Sequence, residues 1–414
     1  MAATDNELAG AAISAQVGDF YEQHPYPPPL ASLTGYARSW DDARRRADAH
    51  LFWPDQPYRE DRTILVAGCG TSQAAKYALR WPKARVTGID LSQASIDETE
   101  QLRRRHSIRN LELMNLPVER AGELGQRFDY VVCTGVLHHL PDPEAGLRAL
   151  SEVLEPNGAM HLMVYAPYGR TGIYMLQDYC RRLGIGASPS DIAELDASLR
   201  LLPPDHPIVP LLRNARDFAT GAGLADALLH PQDRAYSVPE LFEFLSSGGL
   251  KFGRWMRQAP YLPHCGSITQ SPHRDRLARL PANEQYAALE LFRGCMVEHS
   301  LVVYGCEAPS TQIGFDDDAW LDYVPVRTAD TIAVEERLPP GAAAVLINRA
   351  HRFTDIYLPV DALQKSLWDS IDGRISIAQI AGELTQCEVA RSLFERLWQY
   401  DQVVFDTSRG AASP

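Results

Sequence analysis

The 414-residue sequence predicts an α/β fold: a parallel sheet covered by helices on both faces, interrupted by a helical insertion and joined to a second, small α+β domain. Three observations carry this. First, the apolar run Ile64-Leu65-Val66-Ala67 breaks at Gly68-Cys69-Gly70-Thr71-Ser72, and Val86-Thr87-Gly88-Ile89-Asp90 then ends a second strand in an acid. β-Branched residues suit a buried strand, and paired glycines suit a tight turn where backbone approaches a ligand closely. Second, strand-like and helix-like runs alternate from residue 63 to about 166, the rhythm of a parallel sheet with helical crossovers. Third, from residue 340 onward that rhythm gives way to short strands and short helices.

Taken in order, residues 1–60 form an amino-terminal extension. Its segment Phe20-Tyr21-Glu22-Gln23-His24-Pro25-Tyr26-Pro27-Pro28-Pro29 is too rich in aromatics and prolines for a casual linker. Proline restricts the chain and favours an extended strap across a pocket; aromatic cover for the edge of the main domain is the alternative. A helix over 74–79 follows the glycine turn. Asp142-Pro143-Glu144 suits a helix start, with Leu147, Leu150 and Val153 on one apolar face. The run from Tyr168 to Tyr179 begins a helical insertion, at about 168–235, just after a strand. Open α/β sheets expose their ligand crevice at such places, so substrate selection is expected there. A helix over 241–245 ends at Gly248-Gly249, and Leu301-Val302-Val303-Tyr304-Gly305 is the last strand. The main domain therefore covers 61–308, followed by a linker over 309–339 and a small domain over 340–408. In the small domain, strands are expected at 343–347, 354–358 and 403–405. Helices are expected at 362–371, 377–384 and 387–398, with Trp368, Ile371 and Ile375 packing around a turn.

A net charge of −13 argues against extended contact with nucleic acid, which is bound mainly by accumulated positive charge. Arg44-Arg45-Arg46 and Arg103-Arg104-Arg105 read as solvated helix faces. Seven scattered cysteines form no C-x-x-C pair, so neither a metal centre nor a disulfide framework is expected, and a reducing cytoplasm is the simpler home. The first residues lack a secretion signal, and no run reaches the roughly 18 apolar residues of a membrane span. A soluble protein with no membrane partner is expected.

The glycine turn does not continue as G-x-G-x-x-G, because Gln73 holds the third position; NAD fits poorly. A cofactor with adenosine but no phosphate would use the turn for an amino-acid moiety and the acid for the ribose. Here the chain resembles the class I S-adenosylmethionine-dependent methyltransferases. Val66-Ala67-Gly68-Cys69-Gly70-Thr71 matches their first motif and Asp90 their ribose-binding acid. Phe128-Asp129-Tyr130-Val131-Val132-Cys133 resembles their fourth strand, Val136-Leu137-His138-His139-Leu140 the segment after it, and Leu154-Glu155-Pro156-Asn157-Gly158-Ala159 the turn before the fifth strand. The resemblance covers about residues 60–166 and implies a Rossmann-like methyltransferase sheet with S-adenosylmethionine as cofactor. It implies that Gly68 and Gly70 face the methionine part, Asp90 the ribose, and Asn115-Leu116-Pro117 the adenine. Cys69, Leu91 and Thr134 join the expected cofactor contacts, with Tyr21 and Tyr26 on an amino-terminal lid. The family more often has an acid where Asn115 stands, so backbone groups and Leu116 are the alternative adenine contacts. A second resemblance covers about residues 340–406, through Leu367, Asp372-Gly373 and Ile377-Ala378-Gln379-Ile380-Ala381. These residues are similar to winged-helix peptide-binding modules related to the PQQ-biosynthesis chaperone, which implies a peptide or protein partner. A homo-oligomer contact or simple capping is as well supported.

Methyl transfer from a sulfonium needs an aligned acceptor lone pair, and orientation alone can suffice. A base helps when the acceptor begins protonated, and histidine has a suitable pKa. His138 is the catalytic candidate and His139 a substrate contact, with packing or helix capping as the alternative for both. Tyr165, Tyr168 and Arg170 form a second substrate-facing wall. Arg170 can pair with a substrate carboxylate or phosphate, or with one of the chain's 53 acids. The expected function is methylation of a small-molecule acceptor by direct displacement. The alternatives are a peptide or protein methyltransferase that recruits through its carboxy-terminal module, and a noncatalytic S-adenosylmethionine-binding protein.

Overall fold

The computed structural model describes residues 5–214, 216–309, 313–382 and 387–408. The chain divides into two compact units, one of residues 1–38, 61–252 and 290–307, the other of residues 39–60, 253–289 and 308–414. Residues 39–60, read from sequence as part of the amino-terminal extension, and residues 253–289, read as part of the main domain, both belong to the second unit.

The first unit is built on a seven-stranded sheet, of which only residues 253–255, at the end of the sixth strand, belong to the second unit. Its strands are β1 (Thr63–Ala67), β2 (Arg85–Asp90), β3 (Leu111–Asn115), β4 (Phe128–Thr134), β5 (Leu154–Tyr165), β6 (Leu250–Trp255) and β7 (Glu298–Gly305), in the order β3-β2-β1-β4-β5-β7-β6. β1 pairs in parallel with β2 and β4, whereas β7 runs antiparallel to β5. Ile64, Leu65, Val66 and Ala67 are at most 1% exposed, as a central strand covered on both faces requires. The register sets Val66 beside both Gly88 and Val132, so the ends of β1, β2 and β4 meet at one edge of the sheet. That edge carries the glycine turn, Asp90 and Thr134. Gly88 lets the helix Gln73–Arg80 lie close on the sheet: a Cβ there would stand 2.7 Å from Ala74 Cβ and 2.9 Å from Leu113 Cδ2.

The helix Pro143–Glu152 starts as its sequence indicates, with Asp142 accepting from the Ala145 N–H at 2.8 Å and Leu147 and Leu150 buried. The insertion folds into the helices Thr171–Leu183, Pro189–Leu199, Val209–Asn214 and Gly221–Leu229, closed around Ile173, Leu176, Leu195, Ile208 and Leu224. After it, Ser237 and Glu240 form a capping box on the helix Val238–Ser247. Two details differ from the sequence reading. The helix Asp5–Gln23 carries Phe20 and Tyr21, so the extended strap begins only at His24, where prolines stop helical hydrogen bonding. β5 begins at Leu154 rather than after Gly158, and it takes in the extra residues through an irregularity in its pairing with β4.

The second unit contains the helix Asp42–Phe52 and two small sheets. β10 (Ala344–Asn348) pairs antiparallel with β9 (Thr331–Val334) and β11 (Leu358–Val360), and β12 (Val403–Asp406) pairs antiparallel with β8 (Val324–Arg327). The helices Ala362–Asp369, Ile377–Ala381 and Cys387–Gln399 pack with these strands around Trp320, Leu346, Trp368, Leu393, Phe394 and Phe405. The segment 309–339, read as a linker, thus supplies two strands. The strand expected at 354–358 starts only at Leu358, because Thr354 and Asp355 form a turn. The helix expected over 377–384 stops at Gly382, with φ at +68°; Leu384 lies outside the described residues. Among the described residues, no helix is long and apolar enough to cross a membrane.

Candidate active site

The turn after β1 is held from several sides. Gly68 and Gly70 have φ of +66° and +52°, a region that side chains with a Cβ rarely adopt. A Cβ on Gly68 would stand 2.3 Å from Val136 Cγ2, and one on Gly70 would stand 2.8 Å from the Tyr26 carbonyl oxygen. The Gly70 N–H donates to Asp90 Oδ2 at 2.7 Å, and the Thr99 hydroxyl donates to the Gly70 carbonyl at 2.8 Å. Asp90 Oδ1 accepts from the Ser92 N–H at 2.9 Å. Burial pushes the Asp90 carboxyl up, against the opposing pull of these N–H donors. These donors leave the carboxylate with acceptor capacity for a hydroxyl donor.

Cys69 is fully buried and its thiol is pushed well up by burial, which suits a packing residue and not a nucleophile. Thr134 accepts from Gln73 Nε2 at 2.7 Å, so the residue that replaces a third glycine ties the helix start to the end of β4. Sequence reading did not assign Gln73 this role. Ser72 ends the turn with its hydroxyl buried and unpartnered. Of the expected adenine contacts, Leu116 is buried, while the Asn115 amide donates to the carbonyls of Asp90 (3.1 Å) and Leu91 (2.8 Å). Asn115 therefore braces the end of β2. The Leu91 side chain is 37% exposed.

The amino-terminal segment lies against this turn. The Thr71 hydroxyl donates to the Pro27 carbonyl at 2.6 Å, and Tyr26 is half-buried. One helical turn earlier, Tyr21 donates from its hydroxyl to buried Asp226 of the insertion at 3.0 Å. Phe20 and Tyr21 also meet the His230 ring, at 5.1 and 5.4 Å between centroids.

The opposite wall joins the segment after β4 to the end of β5 and the end of the insertion. The His138 ring lies 3.8 Å from that of Tyr165 and 4.3 Å from that of His139, and the His139 ring lies 3.9 Å from that of His230, tilted by 36°. Both ring nitrogens of His138 are buried without a partner, and burial holds its pKa well below the usual histidine range. The Arg170 guanidinium sits 3.5 Å above the Tyr165 ring and pairs with Asp233 at 3.2 Å. Gln177 donates to the same Asp233 oxygen at 3.0 Å. Arg170 thus takes the salt-bridge alternative and anchors Tyr165, whereas Tyr168 is 41% exposed. His138, His139, Tyr165 and Arg170 are brought together; Asp226, His230 and Asp233 join them although sequence reading did not select these three. Among the described residues, no group of three or more histidines, cysteines or acids could hold a metal ion.

Strand order β3-β2-β1-β4-β5-β7-β6, an antiparallel β7 and a glycine turn bonded to the acid of β2 define a class I S-adenosylmethionine-dependent methyltransferase fold. Residues 65–160 match the family described as a methyltransferase domain. The ubiquinone biosynthesis O-methyltransferase of Acinetobacter baumannii (strain AYE) is 26% identical over 149 residues, 36% of this chain; the match spans 58% of that enzyme's length. Uncharacterized protein syc1184_c of Synechococcus sp. is 28% identical over 295 residues, 67% of this chain and 69% of its own length. The structure of PKMT2 from Rickettsia typhi in complex with AdoHcy superposes on 92% of this chain and 77% of that chain, with a TM-score of 0.64 and 18% identity. The protein is an S-adenosylmethionine-dependent methyltransferase, with S-adenosylmethionine, or its product S-adenosylhomocysteine, as its cofactor.

Proposed function

We propose that the protein methylates a peptide or protein side chain by direct displacement, with residues 340–408 acting as a winged-helix-like module that recruits the acceptor. The observation that carries this reading is the extent of the likeness to PKMT2, which reaches 92% of the chain. The match to the ubiquinone enzyme stops at 36% of the chain. That local match favours a second reading, a small-molecule acceptor. Cytoplasmic residence belongs to the same proposal; Cys69, Cys133, Cys180 and Cys306 form no disulfide.

The residues present fit the cofactor. Positive φ at Gly68 and Gly70, packed against Val136 and Tyr26, sets a tight turn with no side chain of its own, and Ser72 offers a buried hydroxyl without a partner beside it. In this reading the turn receives the amino-acid end, Asp90 accepts from the ribose hydroxyls, and Leu116 lies under the adenine. Bound S-adenosylmethionine supplies an electrophilic methyl group whose leaving group is a neutral thioether. The chain has to orient the acceptor, exclude water and receive a proton. Tyr21 and Tyr26 are assigned to the lid over the cofactor, and His138, His139 and Tyr165 to the acceptor side.

Transfer of a labelled methyl group is measured with two probes, a degenerate peptide library and a pool of phenols, catechols and alkylamines. Labelled peptides identified by mass spectrometry are the expected result. Label confined to the small molecules would replace this reading with the second.

A further inference from the structure

Two imidazoles of the acceptor wall are held in opposite tautomers by the backbone of one residue, Gln232. His139 Nδ1 lies 2.7 Å from the Gln232 carbonyl oxygen, which can only accept, so Nδ1 carries the proton and Nε2 is the bare, basic nitrogen. The Gln232 N–H donates to His230 Nδ1 at 3.1 Å, so in neutral His230 the proton sits on Nε2. That Nε2–H is buried without a partner. Burial lowers both rings, His139 to about 4 and His230 to about 2, so both are neutral at ordinary pH. The ring centroids are 3.9 Å apart with the planes tilted by 36°, and the wall thereby offers one proton acceptor and one hydrogen-bond donor on neighbouring rings.

We infer that His139 Nε2 takes the proton from the methyl acceptor while His230 Nε2–H donates a hydrogen bond to it. This rests on the methyltransferase reading and holds for either acceptor class. The acceptor's lone pair forms the new bond to the methyl carbon as the carbon–sulfur bond breaks, with its electron pair left on the sulfur. The acceptor's proton passes to His139 Nε2, and the resulting imidazolium keeps its Nδ1–H on the Gln232 carbonyl until the proton is released to water. The groups facing His139 are His138, His230 and Tyr165, with Arg170 beyond them holding its pKa down. A bound sulfonium disfavours imidazolium in the same way, and that penalty disappears once the charge has left the sulfur. Proton uptake therefore proceeds together with methyl transfer and not before it. His138, with both nitrogens buried and no partner to choose its tautomer, lacks this arrangement.

Long-range proton–nitrogen spectra of the full-length protein, labelled with 15N-histidine and saturated with S-adenosylhomocysteine, read the tautomers directly. Nδ1–H on His139 and Nε2–H on His230 are expected; either opposite assignment overturns the inference. His139→Asn keeps a donor for the Gln232 carbonyl but has no base. It should bind S-adenosylhomocysteine within about twofold of the native protein while methyl transfer to whichever probe pool is accepted falls by about 100-fold or more. Undiminished transfer, or a loss matched by lost S-adenosylhomocysteine binding, overturns it. Loss of transfer seen only with the small-molecule pool upholds the histidine pair and overturns the peptide reading. If neither pool is methylated, the tautomers alone decide.

Discussion

Gly68→Ala tests whether the turn after β1 is shaped by conformation, by crowding, or by both. The residue sits at φ +66°, where a Cβ meets the neighbouring carbonyl oxygen, at about 1–2 kcal/mol. The same Cβ would stand 2.3 Å from Val136 Cγ2 and 2.9 Å from its Cγ1, an overlap that belongs with overpacked cores at about 1–3 kcal/mol. The sum is a loss of about 2–5 kcal/mol from the local stability of β1 and β4. Native-state hydrogen exchange on the cofactor-free protein reads that loss at the amides of residues 64–67 and 130–134. Val136→Ala removes the two crowding methyls and leaves the backbone untouched. In a double-mutant cycle it should recover about 1–3 kcal/mol of the Gly68→Ala loss, with the remainder staying as the conformational part. Additivity within about 0.5 kcal/mol would show that Val136 is not what the turn is built against. A native-like Gly68→Ala protein would refute the whole account.

Tyr21→Phe deletes a hydrogen bond to buried Asp226 and leaves that carboxylate one donor short, which should destabilise the closed amino-terminal helix by about 1–3 kcal/mol. Exchange should then accelerate together in residues 20–29 and 221–229, and acceleration in only one of them would mean that the two segments are not latched. Asp90 carries a pH signature. Its folded-state pKa is raised above the unfolded value, so its contribution to apo stability is fully present below the unfolded pKa and is lost as pH rises through the folded one. An Asp90→Asn protein should lack that limb of the urea-midpoint profile and bind S-adenosylmethionine more weakly, whereas an unchanged profile would remove the burial argument. Ending the chain after residue 325 would strip β9 to β12 and most of the core around Trp320 from the second unit. Residues 253–289 should then become susceptible to limited proteolysis, and persistent protection there would show that they fold without that core.

Most of the first unit was legible because its signals are local. The helix Pro143–Glu152 is announced by its cap and its apolar spacing, and β1 by an uninterrupted buried run. What sequence could not supply came from pairings between distant segments. β8 and β9 are four residues each and acquire meaning only against β12 and β10, so their stretch read as a linker. The membership of residues 39–60 in the second unit is equally non-local: Ala47 is buried with Val326 and Val404, more than 270 residues away along the chain. Asn115 and Arg170 were selected for their functional groups, yet those groups bond to the backbone of β2 and to Asp233. A side chain's type states what it can bond, and only its neighbours decide what it does.

His230 did leave a trace in the sequence, although it was passed over. It stands in His230-Pro231-Gln232, and a residue before proline is driven into the extended region; His230 has φ −60° and ψ 133°. Extended backbone there turns Nδ1 toward the N–H two residues on. His206-Pro207-Ile208 repeats the device, its Nδ1 accepting from the Ile208 N–H at 3.2 Å. At both of these His-Pro-x sites the bond leaves the proton of the neutral histidine on Nε2. At His206 the device lies at a helix start in the insertion; at His230 it lies against His139, and the carbonyl of the same Gln232 imposes the reverse tautomer on that ring. The chemistry of the wall thus comes from one short loop meeting the segment after β4. The first half of that encounter is written in three consecutive residues, and the second half exists only once the insertion has returned to the sheet.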